Sequence, residues 1–169
     1  MNEKSRNIAI AGLACGLNVV MMVLATYIRV NTGAFLFLCA LLTAIILLEV
    51  NVKYAATGFV ATVLLATLLV PDKQTVALYA LFFGWYPLLK LFAETRKSRW
   101  IEWLAKLIGF HLALGIGGIL FYSLFHINIL TLQIPIWLLW PALVIVFVLM
   151  DILLSLGIHF YLRKRNKQR

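Results

Sequence analysis

Six stretches of nearly unbroken apolar sequence divide this chain, and only short polar segments separate them. A helix that crosses the hydrocarbon core of a bilayer needs about 20 mainly apolar residues. The runs cover approximately 7–30, 34–49, 54–70, 75–93, 100–125 and 137–162. They predict an all-α membrane protein, a compact bundle of six transmembrane helices in a single domain over 1–169. Composition leads the same way: 64% of the residues are hydrophobic and 12% are charged, against about 25% charged in soluble domains. A soluble fold of this size could not hide so much apolar surface, because small domains keep a large surface for their volume. The lipid bilayer is therefore expected as the solvent.

The formal charge of +9 would suggest nucleic acid in a soluble protein. Here the basic residues gather between the apolar runs, where Lys and Arg mark cytoplasmic loops, and no nucleic-acid partner is expected. With six spans, Lys4, Arg6, Lys53, Lys90, Arg96, Lys97, Arg99, Lys106, Arg163, Lys164, Arg165, Lys167 and Arg169 fall on one side, and Arg29 and Lys73 on the other. The bias predicts an N-in, C-in protein of the cell membrane. Glu49 and Lys53 flank the turn between spans two and three and are expected to pair. Lys90 and Lys106 are expected to run their stems along the helices and place their ammonium groups at the headgroups.

Ionisable and amide groups at bilayer depth are costly, and each calls for a reason. Asn18, His111 and Asp151 fall near the middles of spans one, five and six. They are expected to form an intramembrane polar cluster if those helices adjoin, serving as glue, proton site or ligand anchor. The outward face collects Arg29, Asn31, Tyr79, His126, Asn128 and Trp137, a mixture of polar and aromatic groups that suits a small-ligand pocket. On span one Ala11, Gly12, Cys15 and Gly16 form a small-residue surface. Gly12-x-x-x-Gly16 lies on one helix face, where missing side chains let another backbone approach. Pro87 with Gly84 is expected to kink span four, and Pro141 to open the last helix in its first turn.

Motifs of catalysis are missing: there is no His-Glu-x-x-His, Gly-x-Ser-x-Gly, phosphate-binding Gly-Lys-Ser/Thr loop or Cys-x-x-Cys. No metal site, cofactor or enzymatic activity is expected, and Cys15 and Cys39 read as small buried hydrophobes. Chain length, six helices, both ends inside, a basic N-terminal stub and a small-residue first helix together resemble the substrate-binding S components of energy-coupling factor (ECF) transporters. That resemblance implies capture of a vitamin-like micronutrient at the outer face, then docking through the first helix onto a coupling membrane subunit with two ATPases. The family's docking pattern is Ala-x-x-x-Ala; the nearest equivalents here are Ala11-x-x-x-Cys15 and Gly12-x-x-x-Gly16. The segment 82–90, with Glu102-Trp103 after it, also resembles small uncharacterised membrane proteins of Gram-positive bacteria. Two other readings stand beside transport: a non-catalytic partner subunit of a larger membrane complex, and a membrane enzyme using His111 and Asp151.

Overall fold

A computed structural model describes residues 2–95, 98–125 and 136–166, with backbone alone at Arg29, Leu124, Phe125, Ile136, Trp137 and Asn166. Among the described residues seven α-helices follow one another: α1 (Glu3–Tyr27), α2 (Thr32–Glu49), α3 (Val52–Leu69), α4 (Lys73–Leu78), α5 (Tyr86–Glu94), α6 (Arg99–Phe125) and α7 (Ile136–Asn166). A π-helical turn, Tyr79–Phe83, joins α4 to α5, so the three pieces make one span. Six helical stretches are thus long and apolar enough to cross a membrane, and no strand occurs among the described residues. Large apolar side chains such as Leu13, Leu64, Leu68, Ile119 and Val146 stand on the outside. Water would penalise that surface, and a hydrocarbon solvent accepts it.

The junctions are built from side chains that satisfy the orphan backbone groups at helix ends. Asn51 caps α3 by accepting from the Tyr54 amide at 3.1 Å. Between α3 and α4, Asp72 accepts from the Gln74 amide at 3.0 Å and from the Thr75 hydroxyl at 2.6 Å. Its neighbour Lys73 turns the other way and donates to the carbonyls of Thr67 at 2.6 Å and Val70 at 2.8 Å. Adjacent residues of opposite charge thus close one helix and open the next, each at the end its charge favours.

α1 packs on α2 and α3, and α2 reaches across to α5 and α7, with α5 against α6. Three apolar clusters follow from that order. Val19, Met22, Leu36, Ala66 and Tyr79 pack near the junction end of the first four spans, and Ala11, Ala14, Ile46 and Ala55 near the other end of α1–α3. Tyr86, Phe110, Phe147 and Leu154, with Ala40, join α2 to the last three spans. The small residues of α1 are divided between two environments. Ala11, Ala14 and Cys15 are buried inside the bundle, whereas Gly12 and Gly16 are exposed, and a Cβ added at either would meet nothing within 4 Å.

Pro87 and Pro141 act differently from expectation. Pro87 sits in the first turn of α5, after a turn at Gly84–Trp85, where a missing N–H costs no helical bond. The distortion lies one turn earlier, in the π-turn closed by the Gly84 amide donating to the Tyr79 carbonyl at 2.8 Å. Pro141, expected in a first turn, lies inside α7, which begins at Ile136. There it removes the bond that the Trp137 carbonyl would accept.

Candidate functional site

α5 places Tyr86, Lys90 and Glu94 four residues apart, hence on one helix face. α6 does the same with Glu102 and Lys106, and α7 brings Asp151 between them. The Asp151 carboxylate is filled from both sides. Oδ1 accepts from the Tyr86 hydroxyl at 2.7 Å and from the Lys90 ammonium, and Oδ2 accepts from Lys106 at 3.1 Å. Lys90 also meets Glu94 at 2.7 Å. Lys106 spends its remaining donors on Glu102 at 2.7 Å and Glu94 at 3.1 Å. Lys90 is 2% exposed, Lys106 1% and Asp151 4%, so these charges lie within protein. The two glutamates are more open, with side-chain exposures of 41% and 22%.

These positions overturn the expectation that Lys90 and Lys106 reach for the headgroups. Their stems turn inward, where three carboxylates offer partners and a buried charge left unpaired would be costly. Among the described residues two cations face three anions, with Glu94 and Glu102 on the more open side. Beneath the network an aromatic floor separates it from the rest of the span: Tyr86 meets Phe147 edge-on at 5.3 Å, and Phe147 stacks on Phe110 at 4.4 Å. The arrangement fixes spans four, five and six to one another. It presents no group of three metal-ligating side chains among the described residues.

The expected cluster of Asn18, His111 and Asp151 does not form among the described residues. Asn18 belongs to a second polar site, donating to the Tyr79 hydroxyl at 3.4 Å, with its backbone carbonyl facing the Cys39 thiol at 3.6 Å. Nearby, the Cys15 thiol donates to the Gly58 carbonyl at 3.2 Å. The side-chain oxygen of Asn18 is buried without a partner among the described residues; exchanging the amide's O and N would let Tyr79 donate to it instead. His111 places Nδ1 2.7 Å from the Leu107 carbonyl, one turn back on its own helix, and its ring lies between Phe110 and Trp140. The helices rotate these three side chains toward different neighbours, which hydropathy alone does not fix.

Of the outward-face candidates, Tyr79 is fully buried in the core and is corrected from rim to interior. It packs on Phe59 at 6.0 Å, inside the π-turn. Asn31 is exposed at the end of a short 3-10 turn, Arg29–Asn31. His126 and Asn128 lie outside the described residues, as do the side chains of Arg29 and Trp137. The docking candidates separate as the fold requires: Ala11 and Cys15 face inward, and Gly12 and Gly16 remain on the open surface. Glu49 is engaged from the far end of the chain, accepting from Arg165 at 2.9 Å and from the Tyr161 hydroxyl at 3.0 Å. Sequence reasoning missed the Lys–Asp–Lys network; the four-residue spacing of Tyr86, Lys90 and Glu94, and of Glu102 and Lys106, could have shown polar faces on α5 and α6, but not their partner Asp151 on α7. No family model, curated protein or solved structure matches this chain.

Proposed function

We propose that this chain is a non-catalytic subunit of a membrane transporter, one that captures a small micronutrient and hands it on by docking to a coupling membrane subunit served by ATPases. One observation carries the reading: the Gly12 and Gly16 face of α1 is left open by the bundle. A small-residue pair used for internal packing would be covered, as Ala11 and Cys15 are. An uncovered pair lets a second membrane helix approach backbone to backbone, the contact that holds helices together where no hydrophobic effect operates. In this reading both termini lie in the cytoplasm of a plasma-membrane protein, on the strength of the Lys/Arg bias. The ligand is captured at the opposite end, which holds Arg29 and Asn31.

A second reading, a scaffold subunit without ligand, is favoured by the mutual pairing of Lys90, Lys106 and Asp151, which accounts for the intramembrane charges as glue. Purification in mild detergent separates the two. The transport reading expects a polytopic partner and ATPases at fixed ratio, with a small molecule released on denaturation and detected by mass spectrometry. Gly12→Leu with Gly16→Leu should remove the partner and leave helicity unchanged. Fixed-ratio copurification with other membrane proteins, without ATPases or released ligand, would move the assignment to the scaffold.

A further inference from the structure

Away from the ion network, α2 and α7 run side by side and leave a groove of about 510 Å³ between them. That volume is in the range of about 300–1,000 Å³ typical of small-ligand sites. Its walls are apolar: Leu41, Ile45 and Leu48 from α2, and Ile158 and Phe160 from α7. At its deep end the helices close together over Gly157, where an added Cβ would sit 2.6 Å from Leu41 Cδ2. At its other end lie Tyr161, Lys164 and Arg165.

Charge distinguishes this mouth from the greasy surface elsewhere. Arg163, Lys164 and Arg165 are consecutive in the last turn of α7. Against them stands the Glu49 carboxylate, bound to Arg165 and Tyr161 through one oxygen. The α7 carboxyl end adds about half a negative charge, which still leaves a cationic excess. Lys164 is exposed, and the Nε of Arg165 is buried without a hydrogen-bond partner among the described residues. An apolar trough that opens on cations at a helix end matches an amphiphile with a hydrocarbon tail and an anionic head. A free anion would leave the trough unused, and a zwitterionic head would bring its own cation to the lysine.

We propose that the α2–α7 groove is a binding site for an anionic phospholipid, with one acyl chain along the Leu41, Ile45 and Leu48 wall and its phosphate at Lys164 and Arg165. The site is separate from the open face of α1 and stands whether or not the chain docks to a transporter. It makes the α2–α7 contact depend on the lipid, since the same α7 turn that meets the phosphate holds Glu49.

The full-length protein, delipidated in a neutral detergent, is mixed with phosphatidylglycerol, phosphatidylcholine or inorganic phosphate, and retained lipid is read by native mass spectrometry beside the melting temperature. Phosphatidylglycerol should be retained about tenfold better than phosphatidylcholine, as expected for one or two cations meeting a phosphate. Lys164→Gln should erase that preference while keeping the acyl-dependent remainder, and Ile45→Trp, which fills the trough, should reduce both lipids. Lys53→Gln, which removes an exposed cation in the first turn of α3, should change nothing. Where Ile45→Trp loses helicity, Leu48→Phe replaces it. Equal retention of the two lipids by the unaltered protein overturns the proposal. So does a preference that survives both Lys164→Gln and the groove-filling variant, or stabilisation by inorganic phosphate equal to that by the lipid.

Discussion

Asp151 shows how a single carboxylate can be held at bilayer depth: both oxygens are occupied, by two ammonium groups and a phenol. Its importance was legible in the sequence, because an acid near the middle of an apolar span must be accounted for. Its partners were not. A lysine near the end of a span can send its stem toward the headgroups or toward the interior, and the choice is made by helix rotation and by what waits there. Tyr86, Lys90 and Glu94 at four-residue spacing were the legible hint that α5 has a polar face. Removing one member of a buried ionic set strands the others, so Asp151→Asn should destabilise the bundle by about 3 kcal/mol. Replacing the whole set (Tyr86→Phe, Lys90→Met, Lys106→Met and Asp151→Leu, with Glu94→Gln and Glu102→Gln) should recover most of that loss, because no buried charge is then left unpaired. Reversible unfolding in detergent compares the two, and a combined variant worse than Asp151→Asn would show that the network contributes more than mutual compensation.

Among the elements, span four departs furthest from a plain helix. Sequence reasoning located an irregularity at Gly84 and Pro87 and assigned it to the proline; the structure puts it in the π-turn before Gly84 and makes Pro87 a helix starter. The difference arises because a proline tolerates two settings, a kinked interior or a first turn, and the preceding backbone decides between them. Tyr79, drawn into the core on the widened turn, is what the sequence could not foretell: a tyrosine near a span end reads as an interfacial side chain until its turn is known. Gly84 is the position that lets Phe59 and Tyr79 close over the π-turn. A Cβ there would lie 2.5 Å from a Phe59 ring carbon and 2.9 Å from Tyr79. Gly84→Ala should therefore cost about 1–3 kcal/mol through overpacking, read as a lower melting temperature, whereas Gly12→Ala, with open space around it, should leave the melting temperature nearly unchanged.

For the whole molecule, hydropathy sufficed to count the spans, because lipid forces every crossing segment to satisfy its own backbone. The expected boundaries differ from the observed helices by a few residues: α3 and α4 start early behind their polar caps, Asn51 and Asp72, and the larger differences lie at both ends of α1 and at the end of α7. Helix rotation was beyond the sequence, and with it which of Asn18, His111 and Asp151 would meet. Orientation rests on charge. Burial of Lys90 and Lys106 takes two cations out of the side that carries thirteen, yet the remaining eleven still outweigh Arg29 and Lys73 on the other. The proposed docking face of α1 and the proposed lipid groove both take their meaning from that orientation. Labelling of intact cells with a membrane-impermeant maleimide tests it directly, since the native Cys15 and Cys39 are buried. Cysteines introduced at Asn31 and Gln74 should react from outside, and those at Lys53, Ser98 and Lys164 should react only after the membrane is opened. Reaction of Lys53→Cys or Ser98→Cys in intact cells would contradict the account.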